Sequence, residues 1–311
     1  MKMVLLDAQT LGKDVDLSDF YKLGKFDIYQ TTQNDEKFER VKDADIVITN
    51  KVVFDRELLE KLPKLKLIAL TATGMNNVDL KASEELGVAV KNVAGYSTKS
   101  VAQHTFALAL SLVNRLGFYE QYVKSGKWQN SEIFTNLDKP FFELYDKRWG
   151  IIGLGAIGKE TAKIACAFGM KVAYYSTSGV QRKEKYPSLS LKDLLKTSDI
   201  ISVHAPLNEK TKNLIDEQGL GFMKQDAVII NVARGGIINE KALRDAIENK
   251  KIYAATDVLE IEPMQKGSYL AKLRQKERYI ITPHVAWGSV EARKRLMRAV
   301  YKNIKTFIKK G

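Results

Sequence analysis

Six residues, Gly153-Leu154-Gly155-Ala156-Ile157-Gly158, constrain the fold of this chain more than any other stretch. Three glycines at this spacing make a phosphate-approaching turn only where a strand precedes them and a helix follows. Both conditions hold here. Trp149-Gly150-Ile151-Ile152 is a short apolar strand segment, and a helical pattern over residues 159–168 runs up to Gly169. The first glycine permits the tight turn, the second lets the backbone approach a pyrophosphate, and the third lets helix and strand pack closely. Backbone N–H groups at the helix start, around Gly155, Ala156 and Ile157, then face the phosphates. The plain alternative is a tight strand-to-helix turn of any α/β domain, and the strands that follow weigh against it.

Those strands fall over residues 149–152, 172–175, 200–203, 228–231, 254–258 and 279–282, with helical segments between them. Six at this spacing match a doubly wound dinucleotide fold. Residues 1 to about 95 hold a second alternating series. Its strands are read over 4–6, 46–49, 67–70 and 88–90, and a helix over 56–62 is stopped by Pro63. Such alternation predicts a parallel sheet. One long helix over 98–116 and another over 118–125, ending at Gly126, join the two series. Asp45-Ile46-Val47-Ile48-Thr49 and Asp199-Ile200-Ile201-Ser202-Val203 look alike, which hints at a shared architecture. A chain of 311 residues exceeds what one core usually supports. The expectation is α/β, with two Rossmann-like, doubly wound parallel-sheet domains and a cleft between them. A discontinuous substrate-binding domain would take residues 1–97 plus 287–311, and an NAD(P)-binding Rossmann domain would take 98–286.

The net charge of +13 raises the question of a nucleic-acid partner. Much of the excess lies at Arg293, Lys294, Arg295, Arg298, Lys302, Lys305, Lys309 and Lys310, where Leu296, Met297, Val300, Ile304, Phe307 and Ile308 recur at helical spacing. That pattern is an amphipathic helix with a basic outer face, so nucleic acid is set aside. The field of such a surface also suits steering of anionic ligands. The longest helical apolar stretch, near residues 101–113, contains Gln103 and His104 and falls short of a membrane span. The first residues lack a cleavable leader pattern and read as a strand. Cys166 is the single cysteine, so no internal disulfide forms and a cytoplasmic location is expected. Among Ile164, Ala165 and Ala167, Cys166 reads as a small core residue.

Chemistry-bearing residues collect at strand ends. His204, Arg234, Asp257 and His284 all lie at or just past the carboxyl end of a predicted strand, where ligands of open α/β sheets bind. An acid at the end of the second strand would hold the 2′-hydroxyl of NAD. Here Val172-Ala173-Tyr174-Tyr175 leads instead into Ser176-Thr177-Ser178, with Arg182 and Lys183 nearby. Hydroxyls and cations suit a 2′-phosphate, so the reading leans to NADP(H) and leaves NAD open. No metal site is expected.

Asn231-Val232-Ala233-Arg234-Gly235-Gly236, Asn239-Glu240, Asp257-Val258, Glu262-Pro263 and Thr282-Pro283-His284 follow one another in an order that resembles the D-isomer-specific 2-hydroxyacid dehydrogenase family. Residues 71–79, 92–98 and 101–104 resemble its substrate loop and inter-domain entry, and His284-Val285-Ala286-Trp287 is most similar to the glycerate dehydrogenase and hydroxypyruvate (glyoxylate) reductase branch. The resemblance covers nearly the whole chain. It implies a hydride exchange between NAD(P) and a small 2-keto or D-2-hydroxy acid, with glyoxylate or hydroxypyruvate/D-glycerate as first substrates. It implies His284 as the proton donor, Glu262 as the partner that stabilises its protonated form, and Arg234 as the group that binds the carboxylate and polarises the carbonyl. It further implies that N–H groups around Thr73, Gly74 and Met75 hold the carboxylate. Asp257 would meet the nicotinamide carboxamide and Ala233 would bind the cofactor, while His204 and His104 read as lining the cofactor cleft or packing between the domains. A homodimer with contacts from residues 100–145 and a hinge closure are also implied. Formate dehydrogenases carry glutamine where Glu262 stands, which argues against them. Phosphoglycerate dehydrogenase and a dinucleotide-sensing scaffold like the C-terminal-binding-protein corepressors remain as alternatives.

Overall fold

The computed structural model describes residues 1–179, 183–249 and 251–310. The chain divides into two compact units, Met1–Ser97 with the segment that begins at Trp287, and Thr98–Ala286.

The first unit is built on five strands: β1 (Lys2–Leu5), β2 (Lys25–Ile28), β3 (Ile46–Thr49), β4 (Leu67–Leu70) and β5 (Ala89–Lys91). They pair in parallel in the order β2-β1-β3-β4-β5. A parallel sheet covered on both faces needs strands that are apolar throughout, and β3 and β4 are buried at every position. Alternate residues serve opposite faces. Val4, Val47, Ile68 and Leu70 pack with Leu58 and Leu59 of the helix Arg56–Glu60. Leu5, Ile46, Ile48 and Leu67 pack with Leu296, Met297, Val300 and Ile304 of the helix Val290–Lys310. The other face of that helix exposes Lys294, Arg298, Lys302, Lys305 and Lys309, as its sequence pattern predicts. No described helix is long and apolar enough to cross a membrane.

The second unit carries β6 (Arg148–Ile152), β7 (Lys171–Tyr175), β8 (Ile200–Val203), β9 (Val228–Asn231), β10 (Tyr253–Thr256) and β11 (Tyr279–Ile281), in the order β11-β10-β9-β8-β6-β7. All pairs are parallel, and a parallel bridge from Tyr174 to Ser188 extends the sheet beyond β7. The strand order therefore reverses between β6 and β8, the place where open α/β sheets bind ligands. Phe106 of the helix Thr98–Val113 stacks on Trp149 at 4.4 Å between centroids, and the buried indole donates to Ser202 Oγ at 2.8 Å.

Three expectations change. The helix over 98–116 ends at Val113. Arg115 adopts a left-handed φ of 54°, with its guanidinium 3.6 Å from the Tyr253 ring centroid, before a new helix runs over Leu116–Lys124. Strand β2 escapes the sequence pattern because it is a four-residue edge strand, KFDI, with a charge at every second position. Cys166 is exposed. The buried face of the helix Ala156–Ala167 holds Thr161, Ala162 and Ala165, and Cys166 sits about 100° further round.

Candidate active site

At the reversal between β6 and β8, the glycine turn fits a dinucleotide closely. Gly153 has a φ of 89°, and a Cβ there would lie 3.0 Å from the Ala205 nitrogen. A Cβ on Gly158 would come within 2.4 Å of the Gly153 carbonyl oxygen, so helix and strand touch as the motif requires. Gly155 has open space where its side chain would be. Among the described residues nothing accepts the N–H groups of Leu154, Gly155, Ala156 and Ile157, which leaves four donors for an anion. A cavity of about 250 Å³ opens here, lined by Gly153, Gly155, Ser176, Thr177, His204 and Asn208. Open space beside Gly155 and unclaimed donors are what a pyrophosphate needs, so the residues present fit a nicotinamide dinucleotide. Ser176 Oγ lies 3.3 Å from Ser178 Oγ at the end of β7. Lys183 is exposed, and Arg182 lies outside the described residues. The sequence reading overlooked Glu184, which also lines the cavity, with its carboxylate held by Lys159 at 2.8 Å.

His204, at the end of β8, is set up to remain neutral. Its Nε2 pairs with Ser202 Oγ at 2.9 Å, while Nδ1 is sealed from solvent with no partner. The residue is half-buried, and burial of its ring pushes the imidazole down to about 3. A group uncharged at working pH cannot serve as the proton donor.

The opposite arrangement surrounds His284. Its Nδ1 lies 2.7 Å from Glu262 Oε2, and Nε2 has no partner among the described residues. The other carboxylate oxygen of Glu262 accepts the Leu259 N–H at 3.0 Å. His284 adopts a φ of 54°, a left-handed conformation that costs a residue with a Cβ about 1 kcal/mol or more. Asp257, past the end of β10, holds that conformation. Its carbonyl accepts the His284 N–H at 2.8 Å, Oδ1 accepts Val285 N–H at 2.9 Å and Thr282 Oγ1 at 2.6 Å, and Oδ2 accepts Ala286 N–H at 2.8 Å. His104 Nε2 meets Thr282 Oγ1 at 3.0 Å and closes the network. Asp257 is 2% exposed, so its side chain first of all shapes the histidine loop.

Arg234 follows β9. Asn231 fixes its turn, donating from Nδ2 to the Arg234 carbonyl at 2.8 Å and accepting Ala233 N–H at 3.1 Å. The guanidinium is exposed and contacts only the Ala233 carbonyl, at 2.7 Å, among the described residues. The turn packs against the loop that carries Glu262, since a Cβ on Gly235 would overlap the Leu259–Glu260 peptide. An imidazole held by a carboxylate, on the same sheet edge as an exposed guanidinium, is placed to pass a proton to a carbonyl oxygen and to bind an anion.

In the first unit, the loop after β4 places Thr73 with its hydroxyl donating to Val93 O at 3.0 Å and its carbonyl accepting from Asn92 Nδ2 at 2.6 Å. Among the described residues no acceptor meets the N–H groups of Thr73, Gly74 and Met75. A larger cavity in this unit, about 360 Å³, is lined by Asp7, Gln30 and Lys51. Its Asp7 carboxylate is taken up by Thr49 Oγ1 and the Asn50 and Lys51 N–H groups, which leaves no free carboxylate there among the described residues. No group of metal-ligating side chains occurs among the described residues.

Comparison with known proteins agrees with this geometry. Residues 106–286 match the family described as D-isomer specific 2-hydroxyacid dehydrogenase, NAD binding domain. The hydroxypyruvate reductase of Blautia hydrogenotrophica is 37% identical over 99% of this chain and 97% of its own length. The glycerate dehydrogenase of Methylorubrum extorquens is 36% identical over 99% and 96%. The D-lactate dehydrogenase of Aquifex aeolicus, solved with NAD and lactic acid, superposes with a TM-score of 0.85 at 31% identity, covering 99% of this chain and 96% of that one. The chain belongs to the D-isomer specific 2-hydroxyacid dehydrogenase family, and it is an oxidoreductase that exchanges a hydride between a nicotinamide cofactor and a 2-keto or D-2-hydroxy acid.

Proposed function

We propose that the chain reduces glyoxylate or hydroxypyruvate to the D-2-hydroxy acid. The observation that carries this reading is the 2.7 Å contact between His284 Nδ1 and Glu262 Oε2, with Nε2 left free. When bound at the glycine turn, a reduced nicotinamide would provide the hydride for the substrate's C2. His284 then delivers the proton from Nε2 to the carbonyl oxygen, while Nδ1–H stays on Glu262. Arg234 holds the carboxylate and draws charge onto the carbonyl oxygen. The N–H groups of Thr73, Gly74 and Met75 are assigned to the substrate carboxylate. Gly153, Gly155, Ala156, Ile157 and Gly158 are assigned to the pyrophosphate, Ala233 and His204 to the cofactor's surroundings, and Asp257 to the carboxamide as well as to the histidine loop.

Residues 1–97 with 287–311 are assigned as the substrate-binding domain, and 98–286 as the cofactor domain. NADP(H) is the favoured cofactor. Ser176 and Thr177 follow β7 where an acid would repel a 2′-phosphate, and Glu184, the one carboxylate among the described residues that line that cavity, is paired with Lys159. The active form is assigned as a homodimer in the cytoplasm. Support for the dimer comes from apolar side chains displayed between residues 116 and 141, among them Ile133, Leu137 and Phe134, the last 89% exposed. Absorbance at 340 nm tests the catalytic reading, with NADH and NADPH each paired with glyoxylate, hydroxypyruvate, pyruvate and phenylpyruvate. Oxidation fastest with NADPH and one of the first two acids is expected. No oxidation with any pair, in protein that binds the cofactor, would overturn it. Sedimentation showing a monomer at micromolar concentration would remove the dimer.

A further inference from the structure

The loop that presents Glu262 to His284 is held from outside by a carboxylate far from it in sequence. The helix Glu240–Glu248 begins at Asn239, whose side chain caps it by accepting Ala242 N–H at 2.9 Å. Glu240, in the first turn, leaves the helix surface, and its Oε1 accepts the N–H of Glu260 at 2.7 Å. Glu260 stands two residues before Glu262. Gly235 also lies so close to this peptide that a Cβ would fall 2.2 Å from the Glu260 nitrogen. The segment that carries Arg234 therefore grips the loop that carries Glu262 at two points, a glycine contact and a carboxylate hydrogen bond. Glu240 is half-buried, and its carboxyl is pushed up by that burial and by the nearby charges of Glu260 and Glu262. A carboxylate kept in so unfavourable a place, when a solvent-exposed one would cap the helix as well, calls for a use.

We propose that Glu240 is a positioning residue: through the Glu260 N–H it sets the loop so that Glu262 meets His284 and stays in register with Arg234. The proposal rests on the reading of His284 and Glu262 as the proton-donor pair, and its test includes a readout that needs no substrate. The variants are Glu240→Ala, which removes the acceptor, and Glu240→Gln, which keeps an amide oxygen for the Glu260 N–H. Turnover, KM and cofactor affinity are measured on each, along with the proton NMR shift of the His284 ring at fixed pH. Only three histidines are present, so His284→Ala assigns that signal.

Misplacement of a catalytic group by a fraction of an ångström to about 1 Å lowers kcat on the order of 10- to 100-fold. That loss is expected for Glu240→Ala, with cofactor affinity unchanged and the His284 signal displaced. Glu240→Gln is expected to restore kcat to within about threefold of the parent and to leave the signal in place, since a neutral acceptor makes the same bond more weakly. Glu240→Ala with parental kcat per folded molecule and an unmoved His284 signal overturns the proposal, even if its melting temperature falls. Glu240→Gln as impaired as Glu240→Ala also overturns it, because charge and not the hydrogen bond would then be at work. If the parent protein turns over no 2-keto acid, the functional reading fails, and the NMR comparison still decides for or against the positioning role.

Discussion

His204 and His284 sit at carboxyl ends of the same parallel sheet, yet their surroundings fit them for opposite work. His204 has a hydroxyl on one nitrogen, a sealed second nitrogen and no carboxylate contact, and burial pushes it down to about 3. His284 has a carboxylate on one nitrogen and an open second nitrogen. The backbone separates them as well. His204 continues from β8 with its N–H on Ile152 O at 2.8 Å, whereas His284 is bent into a left-handed conformation that Asp257 holds from three sides. Sheet position makes a residue available to a ligand; the partner on its ring decides whether it moves a proton.

Removing each partner sharpens that contrast. The largest effect is expected from His284→Ala: general acid catalysis is worth about 10²- to 10⁴-fold, and kcat should fall by that range while cofactor affinity holds within about twofold. Stopped-flow turnover and cofactor fluorescence titration check both halves. A loss of that size in His204→Gln, with His284→Ala still active, would reverse the assignment.

Asp257→Ala comes next. It strands the buried Ala286 N–H and the half-buried Val285 N–H, so the protein should lose about 2–3 kcal/mol in urea unfolding. An unfolding midpoint equal to the parent's would mean that the histidine loop holds itself.

Glu262→Gln is smaller. Its amide must turn an NH₂ toward either the Leu259 N–H or the His284 Nδ1–H, so one of the two contacts is lost. A charge-assisted hydrogen bond contributes about 1.5–3 kcal/mol, which corresponds to a fall in kcat of about 10- to 100-fold. Parental kcat in this variant would show that His284 needs no carboxylate.

Much of this contrast was legible in the sequence. Strands β3, β4, β8 and β9 match the sequence reading residue for residue, because each is a short apolar run that must be buried on both faces of a parallel sheet. The edge escaped it. Strand β2 has alternating charges, and Ser188 adds only a single bridge. At the site, Arg234, Glu262 and His284 were visible through family order, and the places of Arg234 and His284 at strand ends through periodicity alone. The contact of Glu240 with the Glu260 N–H, the place of Glu184 and the full network of Asp257 were not, because each rests on a peptide group or side chain that sequence spacing does not reveal. The same limit misplaced Cys166, whose apolar neighbours gave no hint of which side of the helix faces out.

The smallest expected effect tests the neutral histidine directly, through acid stability of the cofactor-free protein. Burial pushes the ring from its ordinary value of 6.5 down to about 3 in the folded chain. Between those values the unfolded chain binds more protons than the folded one, so this group's contribution is fully present above about 6.5 and is lost as pH falls through the window. One proton corresponds to about 1.4 kcal/mol per pH unit. Protonation of the unfolded chain sets in only below about 6.5, so His204 should remove about 1–2 kcal/mol between about pH 7 and about pH 5. His204→Gln keeps a partner for the Ser202 hydroxyl but has nothing to titrate. Urea unfolding at the two pH values should therefore show a shallower loss in the variant than in the parent, by that amount. Equal slopes would mean that His204 takes up a proton in the folded state as readily as in the unfolded one. The two histidines would then differ only in their partners, and burial would have no part in keeping His204 out of the chemistry.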